Sequence, residues 1–322
     1  MNRNVLSRRV LAGVALAALA LTGCGNNAES DSAAGGEALS GEVKVDGSST
    51  VAPLSEAAAS LYGEQAGQPD VRVAVGTSGT GGGFEKFCKG ETDISDASRP
   101  IKDTEKAACE AAGIQYKELI VANDALTVVV NKENTWADCL TVDQLKKIWE
   151  PNSKVASWNQ VDPSFPNEPL KLFGAGTDSG TFDYFTDEIN GEEGASRTDY
   201  TASENDNVTV QGVGGTKGGL GYFGFSYYEE NADKLKPLKV DGGDGCVEPS
   251  LETAQANTYK PLSRPLFIYV SDAGAKKAQV ADFVTFYIET IDDIVKEAKF
   301  VPLTEEQKTT LKSEFDALKA AI

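Results

Sequence analysis

Three times in this chain of 322 residues, a short apolar strand leads through a turn of glycine and hydroxyl residues into a helical segment. The strands cover residues 43–45, 71–75 and 170–173, and the turns cover residues 47–51, 76–83 and 176–181. Strands that alternate with helices predict an α/β fold with mainly parallel sheets, because parallel strands need a crossover that is usually a helix. Ligands of such folds bind at the carboxyl ends of the strands, where all three turns lie.

The composition of the three turns is typical of an oxyanion site. Unpaired amides at the start of a helix carry partial positive charge, glycine lets the backbone approach a ligand, and Ser or Thr hydroxyls add donors. One such turn alone is more often a simple helix N-cap, but three of them favour an anion site. The P-loop pattern GxxxxGK[ST] does not occur, so nucleotide hydrolysis is unsupported. The glycine-rich residues 212–224 are predicted to form a loop packed against aromatic side chains.

The formal net charge of −19 restricts the partners of the chain. Nucleic acids and anionic lipid surfaces are bound by basic patches, so we expect no nucleic-acid partner and a solvated acidic exterior. A bound anion therefore needs a local cation, and a guanidinium can hold two oxygens of a tetrahedral anion. Arg99 and Arg197 are the candidates for that role, with a surface ion pair as the alternative for each. Arg72 and Arg264 are assigned to the scaffold.

Histidine is absent from the chain. This excludes a Ser-His-Asp triad, a Cys-His dyad and any histidine-ligated metal site. Catalysis by carboxylates and calcium binding stay formally open, although no dense aspartate cluster like a calcium loop is present. We therefore predict a binding protein rather than an enzyme, with no cofactor and no metal.

The N-terminus has the features of an exported lipoprotein. Three arginines precede a short apolar run that ends in Leu-Thr-Gly-Cys, which resembles a bacterial lipobox with Cys24 as the lipidated residue. Residues 1–23 are predicted to be a signal peptide and residues 24–40 a flexible, lipid-anchored stalk on the outer face of the cell membrane. The paired Arg8 and Arg9 leave both the general and the twin-arginine export routes open.

Four further cysteines in an exported chain predict two disulfides. Spacing alone allows three connectivities. The preferred pairing is Cys88–Cys109, which closes a short loop, together with Cys139–Cys246, which closes a long one.

Two β-rich segments, residues 119–131 and 262–270, lie far apart in the sequence and resemble crossings between two lobes. If they run side by side, the residues between them form a second lobe and the chain then returns to the first. The predicted first lobe comprises residues 41–123 and 265–322, and the second lobe comprises residues 124–264. Two lobes joined by two strands form a central cleft that can close on a ligand.

Seven ordered motifs together resemble one known family: DGSSTVAPL, GTSGTGGGF, DISDASRPI, GTDSGTFDYFTDEI, SRTDYTASENDNVTVQGV, GYFGFSYY and PLSRPLFIYV. They cover nearly all of the mature chain and are similar to the phosphate-binding lipoprotein of the Pst-type phosphate ABC transporter, a class II periplasmic-type binding protein. The resemblance implies a two-lobe fold, a monomer, inorganic phosphate as ligand and the permease subunits of the transporter as partners.

The same resemblance implies the binding residues, which come from every turn. They are Thr50 and the Val51 amide, Ser78 or Thr80, and Ser179, Gly180 and Thr181. Ser98, Arg99 and Arg197 are further candidates, and Arg99 is expected to supply the positive charge. Two departures from the family pattern stand out. Ala175 replaces an arginine, and Arg99 lies in the segment where the family has the aspartate that accepts the phosphate proton. Asp178, Asp206 or a hydroxyl lone pair is then left as the acceptor.

Three rival functions follow from the same residues. The ligand could be another oxyanion, such as sulfate, molybdate or a phosphonate. The chain could instead be an exported phosphatase that acts through carboxylates or a bound metal. A surface adhesion or signalling lipoprotein is the third alternative, and it would bind its partner regardless of phosphate.

Overall fold

The computed structural model describes residues 38–177 and 179–322. The predicted signal peptide, the lipidated Cys24 and the candidate acceptor Asp178 lie outside these residues. Within the described ranges, no helix has both the length and the apolar character needed to cross a membrane.

Twelve strands are formed by the described residues. They are β1 Ser40–Gly47, β2 Asp70–Gly76, β3 Ile94–Ala97, β4 Tyr116–Asn131, β5 Cys139–Thr141, β6 Lys171–Ala175, β7 Thr201–Ser203, β8 Gly219–Gly224, β9 Leu235–Pro237, β10 Lys239–Asp241, β11 Cys246–Val247 and β12 Ser263–Ser271. Because β1 begins at Ser40, the last residue of the predicted stalk already belongs to the sheet.

The same part of the chain forms thirteen α-helices and one π-helical turn. The helices are α1 Ala52–Gln65, α2 Gly79–Phe87, α3 Asp103–Ala111, α4 Val142–Trp149, α5 Trp158–Val161, α6 Gly180–Phe185, α7 Asp206–Gly214, α8 Phe225–Glu230, α9 Leu251–Gln255, α10 Asp272–Ala275, α11 Ala278–Glu289, α12 Ile291–Glu297 and α13 Glu305–Ala321, and the π-helical turn is Thr186–Asn190. The predicted glycine loop at 212–224 is wrong, since the end of α7 and the whole of β8 lie there.

Nine strands form one continuous sheet in the order β2, β1, β3, β12, β4, β8, β6, β7, with β9 also paired to β4. Strands β1, β2 and β3 pair in parallel, as do β6, β7 and β8. Every pairing made by β4 and β12 is antiparallel. The fold is therefore α/β with a mixed sheet, in which the outer strands are parallel as predicted and the two central strands are not.

The two predicted crossings lie side by side as β4 and β12, paired from Ser263 opposite Ala125 to Ser271 opposite Tyr116. Strand β4 belongs to both parts of the sheet, since its first part pairs with β12 and its last part pairs with β8. We call β1, β2, β3, β12 and the start of β4 the first half-sheet, and β6, β7, β8 and the end of β4 the second half-sheet. The division of the chain into two moving lobes stays a prediction.

Each half-sheet is covered by helices over its own apolar core. The first core packs α1, α11, α12 and α13 on the sheet through side chains such as Leu54, Phe283 and Phe315. The second core is built around Trp149, Phe185 and Tyr222. Helix α13 starts at the predicted capping box, where the Thr304 hydroxyl accepts from the Gln307 amide at 3.1 Å.

Both disulfides join the cysteines that the preferred pairing named. Cys88–Cys109 links α3 to the end of α2, across a sequence separation of 21 residues. Cys139–Cys246 links β5 to β11 at the edge of a separate three-stranded sheet, across 107 residues. The second bond therefore closes a much longer segment of the chain than the first.

Candidate functional site

A cavity of about 550 Å³ lies between the first two turns and the side chains of α6 and of the residues that follow it. Its walls come from the residues after β1, the start of α2, the residues after β3, and α6 with the turn that follows it. The lining residues are Ser48, Ser49, Thr50, Ser78, Gly79, Thr80, Gly81, Ser98, Arg99, Lys102, Asp183, Tyr184, Asp187, Glu188, Glu193 and Arg264. The parallel register of β1, β2 and β3 brings their carboxyl ends together, which is why the residues that follow these three strands meet here.

The first turn lies directly on β3. Gly47 has a φ of +151°, and a β-carbon there would lie 2.1 Å from the Asp96 carbonyl oxygen, so only glycine fits. The Ser48 amide donates to that carbonyl at 2.9 Å. The Thr50 amide donates to the Ser48 hydroxyl at 3.2 Å, and the amide of the fully buried Val51 donates to the Ser48 carbonyl at 3.2 Å. These bonds hold the Thr50 hydroxyl at the cavity wall.

The second turn is fixed by a carboxylate beneath it. Asp46, at the end of β1, accepts hydrogen bonds from the amide and hydroxyl of Ser78 and an ion pair from Lys86 at 2.6 Å. Burial raises the pKa of Asp46, but the bonds from Lys86 and Ser78 outweigh that effect and hold the pKa below its ordinary value. Asp46 therefore stays ionised and fixes Ser78 at the start of α2.

Two further hydroxyls and one predicted arginine complete the wall next to this turn. The Thr80 and Ser98 hydroxyls lie 3.1 Å apart, and the Ser98 amide donates to Thr80 at 3.3 Å. The Arg99 guanidinium makes a two-pronged ion pair with Glu105 at 2.8 and 2.9 Å. It also donates to the Pro100 carbonyl at 3.1 Å. Arg99 thus reaches the cavity with much of its donor capacity already used.

The third turn does not line this cavity but contacts the first turn beside it. Ser179 caps α6 by accepting from the Thr181 amide at 3.2 Å. A β-carbon on Gly180 would lie 2.7 Å from the Thr50 hydroxyl oxygen and 2.9 Å from the Thr50 Cα, so the two backbones approach as closely as glycine allows. The Ser49 hydroxyl donates to Asp183 of α6 at 3.4 Å. The predicted turns 47–51 and 176–181 are therefore in direct contact.

Arg264 is the second arginine of the cavity, although the sequence assigned it to the scaffold. It begins β12, where its Nε donates to Asp124 of β4 at 3.3 Å. Its Nη2 donates to the Thr50 hydroxyl at 3.3 Å. The guanidinium carbon also lies 3.3 Å from the centre of the Tyr184 ring. Arg264 therefore contacts β4, helix α6 and the first turn at once.

Carboxylates line the opposite wall, on α6 and the residues that follow it. Burial raises the pKa of Asp183 and of Glu188, and the neighbouring acids Glu193 and Asp187 raise them further. Asp183 and Glu188 therefore hold a proton up to a higher pH than ordinary carboxyl groups do. The cavity therefore places carboxyl groups beside its hydroxyl and guanidinium donors. Among the described residues, no cluster of acidic or thiol side chains could hold a metal ion.

Thr181 and Asp206 line a different cavity of about 510 Å³, which also includes Asp124 and Lys299. Burial and the charge of Glu204 raise the pKa of Asp206 to about 6. The predicted ligand Thr181 and the candidate acceptor Asp206 thus do not share the lining of the first cavity.

Arg197 lies away from both cavities, in the second core. Its side chain is 6% exposed, and its guanidinium is held by Asp199 at 2.6 and 2.9 Å and by the carbonyls of Ile148 and Val155 at 3.0 and 2.9 Å. These four hydrogen bonds hold α4 against the loop after the π-helical turn. In this structure Arg197 is held by the scaffold, and Arg264 rather than Arg197 lines the first cavity.

Sequence reasoning missed Arg264, but a signal for it exists. The tripeptide Ser-Arg-Pro occurs twice, at 98–100 and at 263–265, and both arginines line the cavity. The second copy begins a strand that continues with the buried apolar residues 266–270, so its arginine needed a partner or a function. Asp183 was also missed, since it reads as an ordinary first-turn helix acid.

The chain matches a model of the PBP superfamily domain over residues 32–290. It is 51% identical over 276 residues to Protein SphX of Synechococcus elongatus, with 85% of this chain and 81% of SphX covered. It is 41% identical over 304 residues to the phosphate-binding protein PstS of Staphylococcus saprophyticus, with coverage of 93% and 91%. A solved structure of a possible phosphate binding protein from Planctomyces limnophilus superposes with a TM-score of 0.83 at 48% identity, covering 87% of this chain and 99% of that one. The chain therefore belongs to the PBP superfamily, in the family that includes SphX and PstS.

Proposed function

We propose that the protein is an extracytoplasmic binding protein that captures inorganic phosphate in the first cavity and delivers it to an ABC permease. The observation that carries the proposal is the meeting of hydroxyl-bearing residues after β1, β2 and β3 at one cavity that two arginines also line. Neutral hydroxyl and amide donors stabilise an anion locally, while charges on the remote acidic surface are screened over about 8–10 Å. The names of the PstS relatives support phosphate as the anion.

The binding residues that we propose are Thr50 and Val51 of the first turn, Ser78, Thr80, Ser98 and Arg99 of the second wall, and Ser179, Gly180 and Thr181 of the third turn. Asp178 stays a proposed acceptor, and Asp183 joins it because it lines the cavity. Ligand contacts on both sides of the cavity would favour the arrangement in which the first and third turns touch, since a ligand shifts such an equilibrium only through differential affinity. The protein does no chemistry on phosphate in this proposal.

Membrane attachment belongs to the same proposal. Lipidation of Cys24 would hold the binding domain at the outer face of the cell membrane, with residues 24–40 as the tether. Mass spectrometry of the N-terminal peptide from the native membrane fraction tests this. An unmodified Cys24, or cleavage elsewhere, would remove the anchor from the proposal without affecting the binding site.

Calorimetry on protein stripped of bound ligand tests the binding function. Phosphate should bind with one site per chain, and sulfate, molybdate and a phosphonate serve as competing anions. Loss of the Thr50 hydroxyl in Thr50→Val should weaken phosphate about 10- to 100-fold, because a hydrogen bond to a charged ligand contributes about 1.5–3 kcal/mol. Thr201→Val, at an exposed strand position, is the matched control.

Two outcomes would contradict the proposal. If sulfate bound more tightly than phosphate, the protein would still be an oxyanion-binding protein, but its proposed ligand would be sulfate. Steady release of phosphate from a chromogenic ester by the purified protein would make it an enzyme instead.

A further inference from the structure

Arg264 lines the cavity where β12 and β4 of the first half-sheet face helix α6. It starts β12, pairs with Asp124 on the neighbouring strand β4, and stacks on Tyr184 of α6. It also donates to the hydroxyl of Thr50, which belongs to the first anion turn. Its side chain is 17% exposed, so the surrounding protein shields it from most of the bulk solvent. An anion next to this group would interact with it in a medium of lower polarity than water.

The donors of Arg264 are incompletely used. A guanidinium has five N–H groups, and hydrogen bonds to Asp124 and Thr50 occupy two of them within the described chain. The ion pair to Asp124 is single and long, at 3.3 Å. The remaining N–H groups form the fork geometry that holds two oxygens of a tetrahedral anion.

Arg99 differs from Arg264 in each of these respects. Both of its terminal nitrogens bind Glu105, at 2.8 and 2.9 Å, and one of them also donates to a carbonyl. Glu105 is in turn held by the Lys102 amide at 2.8 Å. Rotating Arg99 onto a ligand would leave a half-buried carboxylate without its partner, which costs free energy. Arg99 is thus arranged to hold α3 against the cavity wall.

From this contrast we infer that Arg264, rather than Arg99, supplies the positive charge that binds the oxyanion. The inference rests on the proposed function, because it assumes that the first cavity holds the anion. The inference also explains why alanine can stand at position 175, where the family has an arginine, because Arg264 on β12 would supply the charge instead.

Calorimetric titration of phosphate into a set of stripped variants tests the inference. We expect Arg264→Ala to lower the affinity at least about 30-fold, as for truncation of one member of a buried charge pair. Arg264→Lys should keep the charge but lose the fork, with a loss of about tenfold. Arg99→Ala should cost less than Arg264→Lys. Arg72→Ala is the matched control, because it makes the same change in charge at an exposed residue of β2.

Removing Arg264 leaves the buried carboxylate of Asp124 without its partner, so Arg264→Ala by itself is expected to lower thermal stability. The double variant Arg264→Ala with Asp124→Asn removes both charges and is compared with Asp124→Asn alone. Affinity lost in the double variant but not in the single one supports the inference.

Wild-type binding together with equal affinity in the Asp124→Asn and double variants would overturn the inference and leave the proposed function intact. A wild-type protein that binds no phosphate would overturn both.

Discussion

The buried carboxyl of Asp96 makes the stability of the fold depend on pH in an unusual direction. Its residue has no exposed surface, one carboxyl oxygen accepts from the Ser55 hydroxyl at 2.9 Å, and the other has no hydrogen-bond partner within the described residues. Burial, together with the charges of Asp46 and Glu56, raises the pKa of Asp96 to about 7. The folded protein therefore holds a proton that the unfolded chain releases near its ordinary pKa of 3.8.

The direction of the pH dependence follows from the difference between the folded and unfolded pKa values of Asp96. The stabilisation from this proton is complete below about pH 4 and is lost as the pH rises to about 7, because the unfolded state binds fewer protons over that interval. A displacement of about three units corresponds to about 4 kcal/mol. Replacing Asp96 with Asn removes the titration but leaves a buried amide N–H group that lacks an acceptor, at a constant cost of about 1–3 kcal/mol.

We therefore expect the stability of Asp96→Asn relative to wild type to increase by about 3 kcal/mol between pH 4.5 and pH 8. The constant amide cost cancels in this comparison. Urea unfolding followed by the fluorescence of the buried Trp149 and Trp158 measures it, in buffer without phosphate. The exposed Asp233→Asn is the control. Parallel stability profiles for Asp96→Asn and wild type, differing by less than about 1 kcal/mol across the interval, would refute the reasoning.

Two further outcomes are expected from the described contacts. Replacing Cys139 and Cys246 with alanine should destabilise the protein by about 5 kcal/mol and replacing Cys88 and Cys109 by about 3 kcal/mol, since the loops span 107 and 21 residues. A reversed order in urea unfolding would contradict this chain-entropy argument. Gly180→Ala should weaken phosphate binding about 10- to 100-fold, because its β-carbon would lie 2.7 Å from the Thr50 hydroxyl oxygen and overpacking costs about 1–3 kcal/mol. Unchanged affinity would show that the two turns need not touch when phosphate is bound; a glycine in an open part of α1, changed in Gly63→Ala, is the control.

Local patterns in the sequence were sufficient to predict much of the fold. The strand, turn and helix order predicted the parallel outer strands, and the two apolar segments predicted β4 and β12. Antiparallel pairing of these two strands could not be read from periodicity, because a strand buried on both faces has the same apolar run in either direction. Residues 212–224 were misassigned because glycine lowers helix propensity, whereas tertiary packing determines the end of α7 and the course of β8.

The candidate site was predictable only in part, for a physical reason. Hydroxyls and glycines at strand ends are local signals, so the three turns were found. The roles of the arginines depend on partners distant in sequence. Asp124, 140 residues away, keeps Arg264 at the cavity, and the carbonyls of Ile148 and Val155 hold Arg197 in the second core. No spacing rule connects such pairs.

The position of β12 also determines the order in which the protein can fold. It lies between β3 and β4, although about 130 residues separate it from the end of β4 in the chain. A nascent chain that ends before β12 leaves both of those strands with an unpaired edge. The second half-sheet, apart from its share of β4, is built from one continuous segment and can assemble earlier. The first half-sheet carries most of the donor residues of the cavity, and it is completed only when β12, the last strand in the sequence, has been synthesised. We therefore expect the protein to become able to bind its ligand late in folding.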